Sequence, residues 1–421
     1  MLGSRWPKVP ITDVLSFIVD NRGKTVPTSE AGFPLIATNC VLNERLYPVF
    51  DKVRYVSEEI LNSWFRAHLQ PNDILFVNKG TPGRCCLVPN PVTFCVAQDM
   101  VGLRCNSEKI YYKYLLMALR APSTQKFISN YHVGIAIPHF KKEDFSNLLI
   151  PLPEMDEQIA LGDAYFSLCE AIENNNAICA DLEGMAKLLY DYWFVQFDFP
   201  DENGKPYKSS GGKMVWNEEL KREIPDGWRV SELGNECEIM LGGTPDTSKP
   251  DYWNGNIPWL NSGEVAFSPV LWSEKSITRK GMENSATAFA EVGSVVMSIT
   301  RYIRPSILGI DACFNQSVVA VKPTETLHTS YIYPVLKSNV DRYMKLRTGA
   351  QQPHINKETV EDTVVVCPTE SVLKKYYKAV EPIYDLQMNT SKETQQLAEL
   401  RDFLLPMLMN GQVKVGKETA S

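Results

Sequence analysis

Two kinds of hydrophobic pattern alternate along the chain. Short apolar runs bounded by Gly, Pro and Asn, such as Asp73-Ile-Leu-Phe-Val-Asn78 and Ser294-Val-Val-Met-Ser-Ile-Thr300, have the length and punctuation of strands. Tyr111 to Leu119 and Tyr331 to Leu336 read as the helices that follow them. A different pattern begins at Glu154. Leu161, Leu168, Asn175, Leu182 and Leu189 stand seven apart, each followed three residues later by Ala164, Ala171, Ile178, Met185 and Tyr192, which predicts a long helix with an a/d seam. Ile383, Thr390, Leu397 and Leu404 repeat the pattern, with Leu386, Glu393, Leu400 and Met407 as companions. Both seams are polar in the middle. A polar a position fixes register at a cost in stability, so the helices are expected to pair antiparallel, with Asn175 near Thr390 or Glu393. A helix from about 154 to 194 would span roughly 60 Å and act as a rigid spacer. A plain core or a dimer seam would show the same stripe.

The strand-rich stretch occurs twice. Pro34-Leu-Ile-Ala-Thr-Asn-Cys-Val41 matches Pro258-Trp-Leu-Asn-Ser-Gly-Glu-Val265 at an offset of 224, and Pro138-His139 matches Pro353-His354 at 215. Between them, Asp73-Ile-Leu-Phe aligns with Gly293-Ser-Val-Val at 220 and Ala97-Gln98 with Asn315-Gln316 at 218. So long a period is a duplicated domain, not a solenoid unit. The expected fold class is α+β: two tandem globular domains separated by a pair of long antiparallel coiled-coil helices, with a pseudo-two-fold internal repeat. The boundaries read 1–153 for the first domain, 154–198 for the first helix, 199–223 for a polar linker, 224–368 for the second domain, 369–412 for the second helix and 413–421 for a tail.

Composition is that of a globular protein, with 44% hydrophobic and 22% charged residues. The first residues lack the apolar run of a signal peptide, and no apolar stretch approaches the roughly 20 residues of a membrane span, so a cytoplasmic location is expected. Ten cysteines without CxxC or Cys/His spacing read as reduced thiols rather than a zinc site. The net charge of −7 is uneven: residues 1–153 hold 17 Lys and Arg against 12 Asp and Glu, whereas 154–198 hold ten acids and only Lys187. The acidity thus resides in the first helical segment, and the global charge neither excludes nor supports a polyanionic partner.

Several stretches then fall into a recognisable order: Ile224-Pro-Asp-Gly-Trp-Arg-Val-Ser-Glu-Leu-Gly234, Gly242-Gly-Thr-Pro-Asp246, Asn256-Ile-Pro-Trp-Leu260, Ile150-Pro-Leu-Pro-Glu154 with Glu157-Gln158, and a last helix ending Leu400-Arg-Asp-Phe-Leu-Leu-Pro-Met-Leu-Met-Asn-Gly411. Over essentially its whole length the chain resembles the specificity (S) subunits of type I restriction-modification systems, a prokaryotic defence. The first repeat departs from that wording, starting at Trp6-Pro-Lys-Val-Pro-Ile11 without a Pro-Asp-Gly-Trp opening. The resemblance implies a noncatalytic subunit that reads a split DNA target, one half per domain. Its helices would set the gap and dock two methyltransferase subunits that perform adenine methylation. Endonuclease and translocase subunits are further partners it implies. It places S-adenosylmethionine in the methyltransferase, ATP and Mg in an endonuclease partner, and no cofactor in this chain.

Base readout needs Arg, Lys, Asn or Gln at base edges, whereas phosphate contacts only position. The loop Asn78-Lys-Gly-Thr-Pro-Gly-Arg84 offers Lys79, Thr81 and Arg84, and Ser298-Ile-Thr-Arg-Tyr-Ile-Arg-Pro305 offers Arg301, Tyr302 and Arg304, two arginines at the place of Lys79 and Arg84. Both are also compatible with ordinary surface hairpins. The segments Gly134 to His139 and Gly349 to His354 add His139 and Lys141 in one repeat and Gln351, Gln352, His354 and Lys357 in the other. Gln98 and Gln316 recur at matched positions, and Thr38, Asn39, Asn261 and Ser262 are weaker candidates.

Catalytic signatures are missing. There is no Asn-Pro-Pro-Tyr or Asp-Pro-Pro-Tyr, no GxGxxG, no GxxxxGK[ST], and His68, His132, His139, His328 and His354 form no HExxH. Asp73 and Asp99 could hold Mg in a nuclease, but Gly293 and Ser317 replace them in the second repeat. A nuclease and a two-domain scaffold without sequence-specific DNA binding are the competing readings.

Overall fold

The computed structural model of the chain describes residues 5–21, 23–131, 138–349, 351 and 353–413. Two compact units form, one from Met1–Asn175 with Thr394–Ser421 and one from Asn176–Glu393. The division therefore cuts across both long helices, Met155–Tyr190 and Glu370–Asn410.

Each unit is built around a strand with no solvent face. Ile74–Val77 is buried at every residue, which is why its sequence is a continuous apolar run rather than an alternation. Successive side chains point to opposite faces, so Ile74 and Phe76 enter a core with Tyr114, Leu115 and Leu119, while Leu75 and Val77 enter another with Ile36, Val96 and Met100. Val295–Ser298 does the same in the second unit, where Val295 and Met297 join Tyr331 and Leu336, and Val296 joins Leu260 and Phe314.

The sheets correspond strand for strand, except that Ala288–Ala290 adds an edge strand to the smaller sheet of the second unit. In the first unit the order is Leu15–Val19, Met100–Cys105, Ile74–Val77, Cys85–Leu87, all antiparallel, beside a sheet in which Phe33–Ile36 lies between Arg54–Val56 and the parallel Cys95–Val96. The second unit has Ile239–Leu241, Val318–Val321, Val295–Ser298, Pro305–Ile307, and a sheet where Trp253–Leu260 pairs Lys275–Ile277 and runs parallel to Ala312–Phe314. Pairing refines one offset. Ile74 faces Leu87 as Val295 faces Ile307, so the central strands correspond at 221, not the expected 220, and Asp73 has buried Ser294 as counterpart.

The first repeat's abrupt start is also explained. Lys8–Pro10 pairs with Leu149–Pro151 as Arg229–Glu232 pairs with Val364–Cys367. In this register Trp6 takes the place of Trp228, and its indole N–H donates to Glu157 at 2.9 Å. The segment read as a polar linker is folded instead. Met214–Asn217 and Arg222–Pro225 make a hairpin, and Phe199 stacks between Tyr207 and Trp228 at 4.7 and 5.1 Å. Its Gly, Ser and Lys content conceals two aromatic anchors, Phe199 and Tyr207, which pack with Trp228 of the second domain.

The long helices pair antiparallel within each unit. In the first, Leu161 shares a core with Leu405, Leu408 and Met409, and Cys169 lies beside Arg401. In the second, Cys179 Sγ is 3.4 Å from Ser391 Oγ and the Trp193 ring 5.5 Å from Tyr376. The seam is not the a/d stripe. Its a positions face inward, but the second row stands four residues on: Tyr165, Ile172, Ala186 and Trp193 are buried, whereas Ile178, Met185 and Tyr192 are exposed. Likewise Arg401 and Leu408 are buried while Leu386 and Leu400 are exposed. The half of each helix in a given unit also packs on that unit's strands and helices, which favours the wider stripe of a globular face over a strict coiled-coil seam. Asn175 closes the first unit and Thr390 and Glu393 belong to the second, so their expected proximity stays a proposal.

Two isoleucines test this seam. Ile172 is 4% exposed and Ile178 44% exposed. Ile172→Ala should cost about 2–4 kcal/mol and Ile178→Ala less than about 1 kcal/mol, read from chemical denaturation midpoints of the full chain.

Candidate nucleic-acid interface

The loop that leaves each central strand is fastened to two others by backbone hydrogen bonds. In the first unit the Asn78 N–H donates to Asp99 O (2.7 Å), Phe140 N–H to Asn78 O (2.7 Å) and Gly80 N–H to Pro138 O (3.0 Å), with a β-bridge between Lys79 and His139. In the second, Ile299 N–H donates to Ser317 O (2.9 Å), Ile355 N–H to Ile299 O (3.0 Å) and Arg301 N–H to Pro353 O (3.1 Å), with a bridge between Thr300 and His354. These three bonds and the bridge correspond one for one between the two clasps.

The clasp brings together loops that the sequence separates by about 60 residues in the first unit. Asn78 is fully buried, and its amide N–H also donates to Phe140 O at 2.8 Å. Farther along the hairpin, Gly83 has φ +95°, and its carbonyl accepts from Gln125 Nε2 at 2.9 Å. Buried Arg120 donates through Nη2 to Cys85 O at 2.8 Å. Helix Tyr112–Arg120 and its successor Pro122–Asn130 thus hold the hairpin from behind.

In front lies an open cleft of about 680 Å³. Lys79, Gln98, His139 and Lys141 all line it. So do Lys24, Arg66 and Lys142, which sequence reasoning missed, and the acids Asp20, Asp99 and Glu143. Five cations against three acids make the wall locally basic. Thr81 is exposed and Arg84 half-buried, and neither is among the lining residues. Arg84 closes the hairpin through its carbonyl, which accepts from Val77 N–H at 2.9 Å. The signal for Lys24 was present: Gly23-Lys-Thr25 parallels Gly242-Gly-Thr244. Gln98 Nε2 donates to Thr25 Oγ1 at 3.3 Å, and Thr244 Oγ1 donates to Gln316 Oε1 at 2.6 Å.

In the second unit Arg301, Tyr302, Arg304, Gln351 and His354 are all exposed. The Arg304 guanidinium lies 5.7 Å from the Tyr302 ring centre, a cation–π contact. Arg347, also missed, donates to Arg301 O at 2.6 Å and adds a third arginine to this surface. Register assigns the arginines individually. Arg304 is the counterpart of Arg84, but the counterpart of Lys79 is Thr300, and Arg301 stands where the first unit has Gly80. Gly80 has φ +86° and Arg301 φ +55°, so an arginine occupies a position that suits glycine. Lys357 is half-buried and pairs with Glu361 at 3.0 Å, which ties up its charge. Gln352 lies outside the described residues. Asn39 and Asn261 are engaged locally, with Asp51 O and with Gly263 N–H.

The nuclease pair does not assemble. Asp73 is buried and receives both Nε and Nη2 of Arg104 at 2.9 Å, whereas Asp99 bonds to the far end of the same strand, roughly 17 Å away at about 3.3 Å per residue. No group of three or more His, Cys, Asp or Glu that could hold a metal ion occurs among the described residues. All ten cysteines are free, and burial pushes Cys95 and Cys237 up to about 12 and Cys313 to about 11. Such thiols are protonated and unreactive at neutral pH. Among the described residues no helix is long and apolar enough to cross a membrane.

The sequence profile described as "Type I restriction modification DNA specificity domain" matches residues 3–183 and again 225–400, one match for each clasp. The chain belongs to that family. Among similar proteins of this specificity family are the putative type I restriction enzyme MjaX specificity subunit of Methanocaldococcus jannaschii, 23% identical over 424 residues and covering 97% of this chain and 94% of the relative. The type I restriction enzyme HindI specificity subunit of Haemophilus influenzae is 20% identical over 404 residues, covering 82% and 87%. The fold is similar to the crystal structure of the type I restriction-modification system S subunit from M. genitalium, with a TM-score of 0.54, 17% identity and 96% of both chains covered.

Arg301 provides a test of the specificity-family interface. Arg301→Gly keeps the backbone while removing the side chain and the left-handed strain, so the chain should gain up to about 1 kcal/mol in stability while its affinity for DNA falls. Thermal unfolding and duplex titration of the same variant measure both.

Proposed function

We propose that the chain is the noncatalytic DNA-specificity subunit of a type I restriction-modification complex, each unit reading one half of a bipartite target through its clasped loops. The observation that carries this reading is the recurrence of the clasp, once per unit, with basic side chains around both copies and a family match over each. A clasped loop is preorganised, so little ordering entropy opposes binding. Lys24, Lys79, Lys141 and Lys142 in the first unit, and Arg347 in the second, suit phosphate positioning. Arg301 and Arg304 suit the O6 and N7 acceptors of guanine.

The long helices set the gap between half-sites and dock two methyltransferase subunits. Those subunits carry S-adenosylmethionine and flip the target adenine out of the duplex for methylation. An endonuclease partner would bring ATP and Mg. The assembly acts in the cytoplasm.

Co-expression with a cognate methyltransferase, followed by genome-wide adenine-methylation sequencing, should return one bipartite motif with a fixed gap. A stable complex without new methylation would favour a scaffold. Binding should weaken linearly in log salt as counterions are released. Arg304→Ala should relax reading of one half-site only, by about 1–3 kcal/mol, and an unchanged motif would remove Arg304 from the interface.

A further inference from the structure

The matched glutamines present opposite ends. Gln98 directs its amide nitrogen inward, to Lys24 O at 3.4 Å and Thr25 Oγ1 at 3.3 Å, which leaves Oε1 as its available atom. Gln316 uses Oε1 to accept from Thr244 at 2.6 Å, which leaves its N–H donors. The neighbouring positions differ in the same sense. Asp99 follows Gln98, whereas Ser317 follows Gln316, and Arg301 stands in the second unit where the first has Gly80. The first unit therefore offers acceptors where the second offers donors.

A carboxylate on this surface limits what it can touch. Phosphate oxygens are acceptors, so Asp99 has no hydrogen bond to offer them and would only repel the backbone. The donors that duplex DNA presents in the major groove are the exocyclic amino groups, N6 of adenine and N4 of cytosine. Asp99 is held where such a contact can form. It is about half exposed on the cleft wall, with Lys79 Nζ 3.9 Å away to offset its charge against nearby phosphates.

The backbone at this point is held in an unusual conformation. Gln98 and Asp99 are consecutive non-glycine residues in the left-handed region, with φ +46° and +56°, whereas Gln316 and Ser317 are not. Strain of this kind persists where surrounding bonds over-determine it, and it concentrates at functional sites. Here Met100 N–H donates to Gln98 O at 2.6 Å, and the Asp99 carbonyl accepts from both Asn78 and Lys79 N–H, at 2.7 and 3.2 Å.

We infer that the Gln98–Asp99 turn is the base-reading element of the first unit and that it selects an adenine or cytosine through its exocyclic amino group. This rests on the reading of the chain as a DNA-specificity subunit and adds the base class that its first half-site requires. The Asp99 carboxylate accepts a hydrogen bond from the free amino N–H, and Gln98 Oε1 stands beside it on the same turn. Lys79 and Lys141 steer the flanking phosphates.

The experiment is selection of full-length chain on a random duplex library, with sequencing of the enriched pool. Arg301→Ala marks the half-site that belongs to the second unit. Asp99→Asn keeps shape and tolerates the left-handed φ, and it should reduce the preference for adenine or cytosine by roughly tenfold at one position of the other half-site. Asp99→Gly, for which that φ has no steric cost, should give the same loss, with the remaining positions of the first half-site retained as an internal measure of that unit's folding. Unchanged base frequencies in both Asp99 variants would overturn the assignment and leave the specificity reading intact. A wild-type chain that enriches no motif would overturn that reading as well.

Discussion

A strand with two buried faces dictates most of each unit. Ile74–Val77 and Val295–Ser298 have no solvent side on which to place polar residues, so polarity collects where the strand stops. There the backbone needs partners, since a buried N–H or C=O left unpaired is costly. Asn78 and Ile299 find them in segments distant along the chain. The clasp is thus the way a buried strand satisfies its own end, and the exposed side chains it positions follow from that requirement.

Charge on the chain must be read locally. The net charge of −7 belongs to the molecule as a whole, whereas the cleft of the first unit gathers five cations against three acids. Fields at a surface decay over about 10 Å at 0.1 M salt, so a partner approaching the cleft senses the charges of its wall before the net charge of the molecule.

Much of this was legible in the residues. The duplication, the strand runs and the candidate loops could be read because each rests on local composition and on order. What could not be read depends on distance. The heptad stripe placed the second row three residues on, whereas the buried row stands four on, because a helix face is chosen by what packs against it, and Tyr165 and Trp193 are buried by partners remote in sequence. The offset of 220 missed the true 221 since only strand pairing fixes register. Phe199 and Tyr207 were hidden within a segment of linker composition. Lys24 and Arg347 reach their surfaces through tertiary folding, and of the two only Lys24 had a repeat partner to announce it.

The division of the chain at Asn175 and Glu393 makes the two units topologically unequal. The second is a single uninterrupted stretch, and the first is assembled from both ends of the chain around it. In genetic terms the second unit is an insert, which one contiguous fragment could transplant whole into another scaffold. No contiguous fragment carries the first unit alone. A frameshift or proteolytic cut near the C-terminus would therefore damage the unit that was synthesised first and leave the later one complete.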